Sequence, residues 1–190
     1  MAAPATSVGI DNPRIILRTT GRRATGGRDL CARRRVLPDA VATFLKTVVV
    51  HAPVAQVFAF HERDDALGGL SPPFPPVRVV SREGGIRAGA RVELRIGPIR
   101  WLALHTHYAP HELFVDEQVS GPFASWVHRH EFAVVDADTT RLTDRVTFRL
   151  RGGALTNALL GPLVTWLLVP MFRFRHRATR QACESAARFP

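Results

Sequence analysis

From Thr43 to Val50 the chain is an unbroken apolar and β-branched run, which predicts a first strand. Pro53 follows where a helix accepts proline in its first turn. Val54, Val57, Phe58 and Leu67 then fall near a 3.6-residue period, predicting one or two short helices over 53–67. Leu70-Ser71-Pro72-Pro73-Phe74-Pro75-Pro76 ends any helix and reads as a stiff connector. Six runs come next, at 77–83, 88–96, 99–109, 112–120, 124–136 and 139–150. They are separated by Gly84-Gly85, Gly97-Pro98, Pro110, Gly121-Pro122 and the stretch from Asp136 to Asp138, the spacing of an antiparallel meander. Residues 154–187 predict a long helix, or a pair interrupted at Gly161-Pro162 and Pro170. The expected class is therefore α+β, with strand, short helices, six strands and a long helix in that order.

Period-two alternation assigns faces. Trp126, His128, His130 and Phe132 share one side of their strand, and Leu142, Asp144, Val146 and Phe148 share one side of the next. Arg141, Thr143, Arg145, Thr147 and Arg149 occupy the opposite side, which is the solvent face. Asp116 and Gln118 alternate with Phe114 onto the inward face, so the interior contains polar groups that need partners.

Composition changes this picture at the ends of the chain. The formal net charge of +10 in 190 residues raises nucleic acid or anionic membrane as a partner. Half of that surplus lies in residues 1–40, which carry eight Arg against Asp11, Asp29 and Asp39. This head has no apolar stripe and contains Gly21, Gly26 and Gly27, so residues 1–40 are expected to be a basic, disordered extension and 41–190 a single domain. Aromatic residues face inward and arginines outward on the strands, the reverse of a nucleic-acid platform, so no specific nucleic-acid binding is expected. No export signal is visible, and Cys31 and Cys183 cannot form a disulfide framework; a cytoplasmic location is expected. Nothing in the sequence specifies an oligomeric state.

Ala154 to Phe172 is 19 residues without a charge, close to the length of a membrane span. Thr156, Asn157, Thr165, Pro162 and Pro170 interrupt it, and a curved sheet needs an apolar helix over its concave face, so a core helix is the expected role. Arg173, Arg175, His176, Arg177 and Arg180 behind it could make weak contact with anionic lipid.

The chemistry concentrates on the strand Trp126-Val127-His128-Arg129-His130, which sets two imidazoles about 7 Å apart on one face. Asp144 and Asp116 on flanking strands could complete a metal site, but a lone His-x-His strand more often holds hydrogen-bonded histidines in a polar part of a cavity, and no metal is expected. His105 and His107 form a second alternating pair that reads equally well as a solvated edge. No Gly-x-Gly-x-x-Gly, phosphate-binding loop or Gly-x-Ser-x-Gly elbow is present.

Several segments together resemble the START-related superfamily termed SRPBCC, which includes polyketide cyclases and dehydratases and pollen-allergen-like lipid binders. They are Ala52-Pro53-Val54 with Val57-Phe58, Asp116-Glu117-Gln118, Gly121-Pro122-Phe123, Trp126-Val127-His128-Arg129-His130-Glu131-Phe132 and Asp144-Arg145-Val146, within residues 43–177. The resemblance implies a helix-grip fold, a curved antiparallel sheet of six to seven strands wrapped around the long C-terminal helix with a cavity between. It further implies a cofactor-free domain that binds a hydrophobic or aromatic small molecule, lipid- or polyketide-like. Phe114, Asp116, Gln118, Trp126, Phe132 and Phe148 are then the expected ligand-binding residues. The alternative is an aromatase/cyclase or dehydratase in which His128 or His130 acts as base and Asp144 orients it.

Overall fold

The structure, a computed structural model, describes residues 41–186; the extension expected over 1–40 lies outside the described residues. The elements run β1 (Ala42–Val50), α1 (Val54–Glu62), α2 (Ala66–Gly69), β2 (Val77–Glu83), β3 (Arg91–Ile96), β4 (Ile99–Ala109), β5 (Leu113–Ser120), β6 (Ser125–Asp136), β7 (Thr139–Arg149) and α3 (Gly153–Ala186). The order expected from the hydrophobic pattern is the order found. Short turns make each strand from β2 to β7 the antiparallel neighbour of the next, and β1 returns alongside β7, giving one sheet ordered β1-β7-β6-β5-β4-β3-β2. This is the helix-grip arrangement, with α3 against the sheet and two short helices after the first strand.

Alternation on β6 and β7 holds without a slip across the site. Trp126, His128, His130 and Phe132 are buried, as are Leu142, Asp144, Val146 and Phe148, while Arg129, Arg141 and Arg145 lie on the other face. Two apolar clusters result. One joins Val50, Val57, Phe58, Phe114, Phe132, Leu142 and Cys183; the other joins Phe44, Trp126, Val146, Phe148, Leu168 and Phe172. Between them the inward face carries the polar groups of β5, β6 and β7.

Of the two alternatives for residues 154–187, the structure holds the long helix. Gly153 to Ala186 is one continuous helix despite Pro162 and Pro170 inside it. Both prolines, and Ala158 and Trp166, whose carbonyls lose their partners four residues on, lie on the exposed side, open to solvent. The helix grips the sheet through its other side, on which Asn157, Gly161, Leu168, Phe172, His176, Thr179 and Cys183 are buried. Phe172 is fully buried against Phe44, ring centroids 4.9 Å apart, a burial worth about 2 kcal/mol. At the far end the His51 backbone N–H donates to Glu184 (3.1 Å), and the Gln56 side chain donates to the Cys183 carbonyl (2.9 Å), fixing the helix along its axis.

Burial along α3 is uneven. By length and composition it could cross a membrane, and 22% of its most apolar stretch is buried. Within residues 154–172, the stretch expected to cover the sheet, Asn157, Gly161, Leu168 and Phe172 are buried, and the same side continues through His176, Thr179 and Cys183. The first half of α3 presents Leu155, Leu159, Leu160, Leu163, Trp166 and Leu167 to solvent.

Candidate functional site

Strand register assembles the site. On β6, His130 stands opposite Asp144 of β7 on one side and Phe114 of β5 on the other, and His128 stands opposite Asp116. The rings of His128 and His130 lie 3.8 Å apart between two carboxylates. One Asp144 oxygen accepts from His128 Nε2 at 3.0 Å and from His130 Nδ1 at 2.8 Å, while its other oxygen accepts from His176 Nε2 of α3 at 2.6 Å. On the opposite edge Asp116 Oδ2 lies 3.2 Å from His130 Nε2 and 3.5 Å from His128 Nδ1. Phe114 stacks on His130 at 4.0 Å, and Phe172 meets His128 edge-on at 5.2 Å.

This setting separates the two histidines electrostatically. Burial alone would lower the His130 pKa, but the Asp144 charge and the hydrogen bonds to Asp116 and Asp144 outweigh it and raise the value. His128 is lowered, by burial first and then by its neighbour His130, against the pull of Asp144. Burial would raise both carboxyls; the His130 charge and the hydrogen bonds from His128, His130 and His176 hold Asp144 well below the usual range. The hydrogen bond from His130 and the charges of His128 and His130 hold Asp116 at about 2. Beside them His61 of α1 is pushed down to about 4 by burial.

A cavity of about 280 Å³ opens in front of the imidazoles. Its polar wall is Asp116, His128, His130 and His105; its aromatic corner is Trp101, Phe123 and Trp126, with Trp101 perpendicular to Trp126 at 5.2 Å. Leu67, Leu70, Ile86, Val92, Leu94, Leu168 and Met171 supply the apolar remainder, and Arg175 reaches its edge with its guanidinium over Phe172.

Of the residues predicted from sequence, Phe114, Asp116, Trp126, His128 and His130 line this cavity. Asp144 stands behind the histidines. Phe132 and Phe148 lie in the two apolar clusters and are not among the cavity-lining residues. Gln118 faces the β5–β6 turn, where its carboxamide donates to the Phe123 carbonyl at 3.0 Å and accepts from the Phe123 N–H at 3.3 Å. The carboxamide packs over Gly121, where a Cβ would push it aside.

Three histidines were not legible as site residues. His105 faces the cavity and His107 faces solvent, because a register shift between them breaks the alternation that would have kept them together. His176, read with the arginines around it as a lipid-facing cluster, instead turns inward to Asp144; it falls four residues after Phe172 on the buried stripe, which is the signal that finds it. His61 sits on the buried side of α1 with its Nδ1 2.8 Å from the Val57 carbonyl.

Solved structures with this architecture include the Zhui aromatase/cyclase from Streptomyces sp. R1128. It is 16% identical, the match covers 79% of this chain and 98% of that one, and the TM-score is 0.61. A START superfamily protein from Mycobacterium smegmatis matches at 16% identity over 76% and 99% of the two chains, with a TM-score of 0.59. Norcoclaurine synthase from Thalictrum flavum matches at 9% identity over 79% and 99%, with a TM-score of 0.62. These likenesses show a shared helix-grip fold. Residues 50–174 match the family described as polyketide cyclase/dehydrase and lipid transport, and the chain belongs to that family. No curated protein sequence matches it.

Proposed function

We propose that this protein binds a hydrophobic or aromatic small molecule in the cavity between sheet and α3, in the reducing compartment that its cysteine content suggests. The observation that carries this reading is a cavity walled mainly by apolar and aromatic side chains with a short row of polar groups on one side, the usual composition of a ligand pocket. Its volume of about 280 Å³ lies at the lower end for such pockets and favours a compact ring system over a long acyl chain. The family description and the aromatase/cyclase among the similar structures support a polyketide-like ligand. Trp101 and Trp126 line the pocket, so their fluorescence should change on titration with aromatic polyketides. Ala103→Phe, which fills the buried floor, should abolish the change with the circular dichroism spectrum retained. No response to a polyketide and lipid panel, with no small molecule copurifying in native mass spectra, would refute the reading.

A second reading, acid-base catalysis, is favoured by the opposite displacement of the two imidazoles. His130 is held towards the protonated form and His128 towards the neutral form, the division a general acid and a general base require. In this reading His128 removes a proton from the bound molecule, His130 donates one, and Asp144 positions both rings. His128→Gln and His130→Gln should each lower kcat by about 100-fold or more while ligand affinity changes little. Gln is preferred to Ala because both side chains are buried.

A further inference from the structure

We propose that Asp116, His128 and His130 form a binding site for one divalent first-row transition ion, with Asp144 as the carboxylate that orients both histidines. This goes beyond the ligand reading, does not depend on it, and reverses the expectation drawn from sequence that no metal is held.

The geometry separates the two sides of the imidazole pair. His128 Nδ1 and His130 Nε2 face Asp116, and the donor atoms of the three residues lie within 4.8 Å of one another. The two edges running from Asp116 Oδ2 are 3.2 and 3.5 Å. Donors about 2.0–2.1 Å from a tetrahedral ion stand about 3.3 Å from each other, and both edges from Asp116 match that spacing. The remaining ring nitrogens, His128 Nε2 and His130 Nδ1, point away from this triangle to one oxygen of Asp144, at 3.0 and 2.8 Å. Histidines that ligate metals regularly donate their other N–H to a carboxylate, which fixes tautomer and ring angle. Here one carboxylate serves both rings, and His176 anchors it at 2.6 Å.

Access and composition agree. Asp116, His128 and His130 line the cavity, so a fourth position would face a bound molecule, the arrangement of ions that polarise substrate oxygens. His105, opposite Asp116 in the β4–β5 ladder, also lines the cavity, and its buried Nδ1 has no hydrogen-bond partner among the described residues. Two imidazoles with one carboxylate select zinc, iron or cobalt over calcium or magnesium, which take oxygen ligands. A divalent charge would also offset the buried Asp144 and half-buried Asp116 carboxylates.

The test uses untagged, chelator-stripped full-length protein. Zn²⁺ titrated against a chromophoric chelator should bind at one ion per chain with a Kd below micromolar, and Co²⁺ should give visible absorption bands. Asp116→Asn should weaken Zn²⁺ binding at least tenfold, and Asp144→Asn roughly 10- to 100-fold. His51→Gln/His107→Gln/His111→Gln, on exposed histidines, should leave it unchanged. If a variant does not fold, wild-type histidine ring ¹⁵N resonances decide: those of His128 and His130 should shift on Zn²⁺ addition. No stoichiometric binding by folded wild-type protein, undiminished binding by Asp116→Asn, or unshifted His128 and His130 resonances would each overturn the proposal. Fluorescence titration with the aromatic panel on the same stripped protein reads ligand binding separately.

Discussion

Asp144 is the residue on which the interior polar belt depends. Three imidazoles from two elements share its carboxylate, and it is 3% exposed, so removing the charge strands three buried donors at once. Breaking a buried charged network by deleting one partner costs about 3–5 kcal/mol, and Asp144→Asn should lower unfolding free energy by that order in urea titrations. A loss under about 1 kcal/mol would mean that the histidines satisfy one another without it. His61 gives a separate, pH-dependent outcome. It faces His130 from β6, Asp144 from β7 and Arg175 from α3, with the Val57 carbonyl on its own helix, and its folded-state pKa is about 4 against 6.5 when unfolded. Between those values the unfolded chain binds more protons than the fold, so stability falls as pH drops through this window, by up to about 3 kcal/mol from this residue. His105 and His128, also lowered by burial, add in the same sense. His130, raised in the fold, contributes in full below pH about 6.5 and loses its contribution as pH rises through its folded-state value. Asp116 contributes above about 3.9 and loses it as pH falls towards about 2. His61→Phe should therefore flatten the fall in urea midpoint between pH 6.5 and 4; an unchanged slope would assign the acid sensitivity to the other histidines.

At the level of elements, α3 tolerates two prolines because both point to water. Pro162→Ala restores an N–H that can bond Ala158 and replaces a residue about 3 kcal/mol poorer in helix propensity, offset in part by a more flexible unfolded chain. The expected gain is about 1–2 kcal/mol, read as a rise in Tm. A fall would show that the proline sets a curvature that keeps Leu168 and Phe172 on the sheet. This helix also marks where sequence reading stopped. The strands were legible because β6 and β7 alternate cleanly, with Trp126, His128 and His130 against Arg129 and Arg141, Arg145 and Arg149 against Leu142 and Asp144. Proline local rules left a break in α3 open beside a continuous helix, and packing together with the solvent-side position of each proline decides for the continuous one. In the site, the β6 and β7 residues were visible because one strand or one ladder step links them. His176 was hidden because its partner Asp144 is 32 positions away and arginines flank it, and His105 because a single bulge reverses facing without a sequence mark. Gln118 was read as a ligand contact from alternation and the family resemblance; its reach over Gly121 to the β5–β6 turn is a close approach that periodicity does not describe.

For the whole molecule, the surface left over by folding is as informative as the cavity. Leu155, Leu159, Leu163 and Trp166 form a stripe along the exposed side of α3, 52–72% accessible, and no acidic residue lies between Gly153 and Phe172. Arg151 stands exposed at one end and Arg173 and Arg177 at the other, so an apolar stripe is bracketed by cations, the pattern of a helix that lies in an anionic bilayer interface. The same helix contributes Leu168, Met171 and Arg175 to the cavity wall, and docking it on a membrane would bring that wall close to lipid. Each arginine near such a surface is worth about 1 kcal/mol, so a contact made in this way would be salt-sensitive, and weak unless the apolar stripe inserts. Co-sedimentation with vesicles containing phosphatidylserine should exceed that with phosphatidylcholine alone, fall with added salt, and be lost in Leu159→Glu/Trp166→Glu. Trp166 emission should shift to the blue on binding. Deleting residues 2–40, which hold half the positive surplus, should reduce the affinity without abolishing it if α3 is the docking element. Binding carried entirely by the deleted segment would refute the assignment to α3, as would a concentration-dependent dimer that ignores vesicles and dissociates in Leu159→Glu/Trp166→Glu, which would give the stripe to a second copy.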